Sequence, residues 1–271
     1  MTRGPLLRSG DHVGPYRLTR RLGRGGNATV WAAKHEETGD AVAIKVLYSV
    51  NAGSVGYERF RREVDQQGRA LASHAGVLPV IASHVPEDPS DDNPAYLVLP
   101  IALLLRRWAG QEAMLDDIVG ALSQVATTLA DIAELGMAHR DVKPENLYHF
   151  RDQAVVGDFG LISVPDARPL TTGVVGPRYY LAPEMILDPI NAEGRPADVY
   201  SLGKTIWVFV TGQQVPPPGE LRVEYQSLRA SNYVVDDRAV FIDHLLEAMT
   251  NHDPNRRPKM RSVANELQAW V

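Results

Sequence analysis

Between residues 115 and 132, Leu115, Ile118, Val119, Leu122, Val125, Leu129 and Ile132 recur at helical spacing over about five turns, which predicts a long helix with one buried face. The first hundred residues follow a different rule. There "YRLTRRLG", "TVWAAKH" and "DAVAIKVLY" read as strands, separated by a glycine turn and by the hairpin-type connection "EETGD". One helix interrupts them, "YERFRREVDQQGRALA", with Phe60, Val64 and Leu71 on one face and charges elsewhere. Further helices are expected at 197–212 and 240–249. A chain that changes from strand spacing to helix spacing near residue 110 is α+β, with a small β-rich part ahead of a larger helical part, in two lobes.

Several function classes fall away on composition. A formal charge of -5 offers no general attraction for nucleic acid, so no nucleic-acid partner is expected. With no cysteine, disulfides, thiolate metal sites and cysteine nucleophiles are excluded, which suits a reducing compartment. The longest apolar run, "AYLVLPIALLL" (95–105), is too short to span a bilayer, and the opening "MTRGPLLRSGDHVGPYR" lacks a signal-peptide core, so no membrane segment is expected. The Pro/Asp-rich "VPEDPSDDNP" and "VPPPGE" read as surface loops.

Chemistry concentrates in four short stretches. In "LGRGGNATVW", Gly23, Gly25 and Gly26 let backbone amides approach a polyphosphate, although a glycine-rich hairpin has the same look; no "GK[ST]" follows, so a Walker-type loop is excluded. In "AVAIK", Lys45 projects from a strand among apolar neighbours, and Glu63 on the intervening helix is its natural carboxylate; a solvated lysine and a surface glutamate are the plainer readings. In "HRDVKPEN", Pro144 discourages continuation of the long helix, leaving Asp141 and Asn146 free to turn toward one site. A carboxylate accepts a hydroxyl proton, and an amide oxygen suits a hard cation. In "AVVGDFG", Asp158 ends a short strand and offers a second oxygen ligand.

Taken in order, these stretches, with "APE" at 182–184, "DVYSLG" at 198–203 and "DPNRRP" at 253–258, make the chain resemble the eukaryotic-like Ser/Thr protein kinases, including the bacterial Hanks-type members, from residue 16 to 270. The resemblance implies a bilobal kinase fold: a lead over 1–15, a nucleotide-side lobe over 16–102, and a lobe over 103–271 with the catalytic loop and activation segment. It implies ATP and magnesium, with manganese as an alternative, and protein substrates bearing Ser or Thr. Lys45, partnered by Glu63, would hold the α- and β-phosphates. Asp141 would be the base, Lys143 would touch the γ-phosphate, and Asn146 and Asp158 would hold the metal. Gly23, Gly25, Gly26, Val30, Ala43, Ile101, Ala102 and Leu147 would line the nucleotide. Glu184 and Arg257 would pair in the interior, and Asp198 would brace the catalytic loop. Lys143 is the Ser/Thr-type residue at its position. Arg140 resembles kinases answered by a phosphorylated activation segment, for which Thr171 and Thr172 are the candidates, with a homodimer suited to autophosphorylation. A cytoplasmic signalling transferase is the implied setting.

Three positions depart from the family pattern. Pro177 stands where a threonine would link Lys143 and Asp141. Pro100 removes one N–H from the expected hinge "LVLPIA". Gln67 puts an amide where an apolar side chain is usual, which predicts a helix that docks loosely until phosphorylation or a partner sets it. Two other functions compete: a scaffold that binds nucleotide without transferring phosphate, and a small-molecule kinase of related fold. Retention of Lys45, Asp141 and Asp158 argues against the first, and the "APE"-ended segment from 158 to 184 against the second.

Overall fold

A computed structural model describes residues 7–25, 28–48, 51–111, 113–164, 179–231 and 233–270. The chain divides into two compact units, Met1–Ala102 with Asp158–Gly160, and Leu103–Gly157 with Leu161–Val271.

The first unit holds β1 (His12–Val13), β2 (Tyr16–Arg24), β3 (Ala28–His35), β4 (Ala41–Leu47), α1 (Val55–Asp65), β5 (Ala82–His84) and β6 (Tyr96–Pro100). Among the described residues its strands make one antiparallel sheet in the order β1-β2-β3-β4-β6-β5. Successive residues of a strand point to opposite faces. In β4, Val42, Ile44 and Val46 therefore enter a core with Leu18, Trp31 and Val98. Leu47, on the other parity, packs with Leu97 against Tyr57, Phe60 and Val64 of α1. Lys45 shares that second parity, which is why it faces the helix rather than water. Ser54 caps α1 by accepting from the Tyr57 amide at 3.3 Å.

The expected single helix through residue 72 does not hold. After Asp65 the backbone widens into a π turn, Gln66–Ala70, with the Leu71 amide bonded to the Gln66 carbonyl at 2.8 Å. Gly68 lies in this turn, where a β carbon would sit 3.5 Å from Val80.

The second unit begins with β7 (Leu103–Leu104), α2 (Leu105–Ala109) and α3 (Leu115–Glu134). It continues through β8 (Leu147–Phe150), β9 (Gln153–Val156), α4 (Pro183–Leu187), α5 (Gly194–Thr211), α6 (Val223–Gln226), α7 (Ala239–Met249) and α8 (Met260–Gln268). Strands β7, β8 and β9 form a small antiparallel sheet. The apolar face of α3 packs on α8, β9 and α5. Helix α5 is buried on nearly every side and ends at Gly212, whose φ of 69° is the left-handed conformation that terminates helices. Among the described residues no helix is long and apolar enough to cross a membrane.

Candidate active site

Within the first unit, Lys45 Nζ donates to both Glu63 carboxylate oxygens at 2.7 and 2.8 Å and to Asp158 Oδ1 at 3.2 Å. Burial opposes a charge on Lys45, but the Asp158 and Glu63 carboxylates outweigh it and hold the ammonium above its ordinary pKa. Burial also pushes the Glu63 carboxyl up. The two short bonds from Nζ nevertheless require an ionised acceptor, so the geometry is that of an ion pair. Gln67, where an apolar side chain was expected, is fully buried, and its Nε2 donates to the Leu78 carbonyl at 2.8 Å.

Asp158 has φ 63°, a conformation uncommon for any residue but glycine, held in the turn that brings its carboxylate to Lys45. Its side chain stays 41% exposed. Val30 lies opposite Lys45 in the β3–β4 register, and Ala43 is buried on β4. Gly23 pairs with Val30 one step before the end of the β2–β3 ladder, with open space where a β carbon would point, and the Gly25 amide bonds the Ala28 carbonyl at 2.8 Å, an open backbone compatible with phosphate approach. Pro100 closes β6 opposite Val42, followed by exposed Ile101 and half-buried Ala102.

The second unit assembles the other cluster. Asp141 Oδ2 accepts from Lys143 Nζ at 2.6 Å and from Asn146 Nδ2 at 2.9 Å. The Asn146 amide also donates to the Asp141 carbonyl at 2.8 Å, which commits its nitrogen to Asp141. The Lys143–Asp141 link for which a threonine would be expected at position 177 is made directly. Leu147, fully buried, follows at the start of β8. Beneath the loop, buried Asp198 on α5 accepts from the His139 and Arg140 amides at 2.6 and 2.7 Å. Burial raises its carboxyl to about 6, with the nearby cations and both amides opposing. Those two bonds fix Arg140 at φ 65°, a second left-handed residue. His139 joins the loop to the chain before Asp158, with Nε2 3.1 Å from the Gly157 carbonyl and Nδ1 3.3 Å from the Asp141 amide.

Farther off, Arg257 grips Glu184 through two bonds of 2.6 and 2.9 Å and donates to the carbonyls of Pro196, Asn251 and His252. Arg140 turns its guanidinium to the Pro189 carbonyl at 2.7 Å. Gly26, Thr171, Thr172 and Pro177 lie outside the described residues. Sequence reasoning missed two contacts that shape the site. One is the Gln67 bond to Leu78. The other is Gly194, whose missing β carbon would stand 2.7 Å from Ala138 Cβ and 3.1 Å from Arg140 Cγ, so glycine is what lets α5 approach the loop. The glycine in "EGRPAD", four residues before Asp198, was the legible signal.

The chain is 33% identical over 221 residues to the serine/threonine-protein kinase Pkn1 of Myxococcus xanthus, covering 77% of this chain and 30% of that protein. It is 34% identical over 212 residues to PknA of Mycobacterium tuberculosis, covering 74% and 48%, and 31% identical over 258 residues to PknL of the same organism, covering 89% and 62%. The chain thus matches half or less of the length of Pkn1 and PknA. Residues 16–268 match the family described as the protein kinase domain, and the chain belongs to that family.

Proposed function

We propose that this chain is an ATP-dependent protein serine/threonine kinase. The observation that carries the reading is the bidentate Lys45–Glu63 pair with Asp158 on the same ammonium, which presents a fixed positive charge beside a partly exposed carboxylate. ATP supplies the phosphoryl group, and a bound divalent ion neutralises its charge. The donors suit such an ion, since Asn146, its nitrogen committed to Asp141, has an amide oxygen as its other polar atom, and the Asp158 carboxylate is partly exposed; oxygen ligands of this kind favour magnesium, with manganese as the alternative.

In this reading Lys45 binds the α- and β-phosphates and Glu63 keeps its ammonium in place. Gly23, Gly25, Gly26, Val30, Ala43, Ile101, Ala102 and Leu147 enclose the nucleotide. Asp141 takes the proton from the acceptor hydroxyl, and Lys143, bonded to the same carboxylate, meets the γ-phosphate. Asp198 holds the loop so that no reorganisation is needed as charge shifts, which is where most of the rate comes from when the transition state is loose. Acceptors are Ser or Thr of protein substrates. Thr171 and Thr172 are autophosphorylation sites, modified between two copies of the chain, and the setting is the cytoplasm.

Radiolabel transfer from ATP to a mixed protein substrate, followed by phosphoamino-acid analysis, tests the reading. Label on serine and threonine, lost in Lys45→Met, supports it. Nucleotide binding without transfer in any variant makes the domain a scaffold.

A further inference from the structure

Gln67 is the most buried polar side chain of the first unit that the proposed chemistry does not use, with none of its surface exposed. It lies one turn past Glu63, in the π turn that ends α1. Its Nε2 donates to the Leu78 carbonyl at 2.8 Å, whereas its Oε1 is buried with no partner among the described residues. An amide left half-satisfied in an apolar interior is destabilising, so an apolar side chain of equal volume would be the more stable choice. Its one bond is therefore the feature to explain.

Topology shows what that bond does. Leu78 lies just ahead of β5, and the Ile81 amide ties this segment to the Val98 carbonyl of β6 at 2.8 Å. Strand β6 pairs with β4, with Leu97 opposite Lys45. Lys45 in turn holds Glu63 on α1. The path Lys45, β6, Leu78, Gln67, Glu63 and back to Lys45 is closed, and the Gln67 amide is its link between helix and sheet. The π turn lies at the same place: Gln67 is its second residue, and Gly68 lets the turn lie against Val80.

We infer that Gln67 is a positioning residue, a hydrogen-bond strut from α1 to the Leu78 carbonyl that holds Glu63 on Lys45 before any partner or phosphate arrives. The inference rests on the kinase reading for its consequence in catalysis, but not for the strut itself. An apolar residue here would pack without direction, and the end of α1 would be free to turn about the sheet.

The test uses the whole chain with Gln67→Met, which keeps the volume and removes the donor, and Gln67→Leu as an independent second variant. Hydrogen exchange is followed in α1 and, as internal reference, in α3 and α5, together with KM for ATP and kcat. The strut predicts faster exchange confined to α1 and a rise of about fivefold in KM for ATP, the worth of about one hydrogen bond, with a smaller change in kcat. Wild-type exchange in α1 for both variants overturns it. Faster exchange spread equally over α3 and α5 also overturns it, because Gln67 would then serve general stability only. If instead the wild type binds nucleotide but transfers no phosphate, the kinase reading fails while exchange in α1 still decides the strut.

Discussion

Lys204 offers a quantitative test of how the second unit is built. It stands in the middle of α5 with none of its surface exposed, and its ammonium donates to the carbonyls of Pro217, at 2.8 Å, and Gly219. The Tyr200 ring lies 5.3 Å away, and no carboxylate pairs with it among the described residues. Burial lowers its pKa from 10.5 to about 8, with Glu220 opposing. At about 1.4 kcal/mol per pKa unit, the whole shift is worth about 3 kcal/mol. The sign follows from proton counting: between pH 8 and 10.5 the unfolded chain keeps this proton while the native chain has lost most of it, so stability rises with pH in that window. Buried Tyr180 and Tyr200, both raised to about 12 by burial, act in the opposite sense above pH 10, because there the unfolded chain ionises first. Urea unfolding of the wild type and of Lys204→Met at several pH values from 8 to 10 isolates the lysine, since the tyrosines are common to both. The difference in unfolding free energy should move in favour of the wild type by about 2 kcal/mol across that range. A difference that stays flat would mean that the two carbonyls and the ring keep the ammonium charged, and would refute the reasoning.

Three further outcomes follow from the same geometry. Gly194→Ala forces a β carbon to 2.7 Å from Ala138 Cβ, so it should lower stability by about 1–3 kcal/mol and slow phosphoryl transfer, while calorimetry finds ATP affinity unchanged. Glu184→Ala strands a fully buried guanidinium and should cost about 3 kcal/mol in urea unfolding; adding Arg257→Met should recover part of that loss, and strict additivity would deny the coupling. Asp198, raised by burial to about 6, takes up its proton more readily in the native than in the unfolded chain between pH 3.8 and 6, so its contribution to stability falls as pH rises through that window. Protonation also spoils one of its two acceptor oxygens, so the transfer rate should fall as pH drops through about 6, and a rate unchanged down to pH 5.5 would contradict that role.

The legible parts of this chain were those whose signal is local. Helix α3 announces itself by an unbroken 115–132 period, and the structure gives Leu115–Glu134. Strand β4 was legible because it is a short apolar run, nearly all of it buried, bounded by the "EETGD" turn. Helix α5 starts at Gly194, ahead of the expected 197, because a helix buried on nearly every side has no polar face to mark its limits. Leu71 continues the period of α1 although the backbone has already widened at Gln66, so the π turn is invisible to spacing alone. Lys204 reads as a solvated helix residue, and only the folding of the 212–220 loop onto α5 buries it. The order of "VAIK", "HRDVKPEN" and "DFG" carried the family, but which atoms meet was not in the order. That Asp158 reaches Lys45, and that Gln67 bonds the Leu78 carbonyl, depends on contacts between distant segments.

The most direct test of the central claim is a single-turnover measurement of label transfer from ATP to a Ser/Thr protein substrate by wild type and Asp141→Asn, with ATP affinity measured in parallel. Asp141→Asn should bind ATP as the wild type does and transfer label at least about a hundredfold more slowly, the lower range for loss of a general base. Equal transfer rates in the two proteins would contradict the assignment of Asp141 and, with it, the reading of this loop as catalytic.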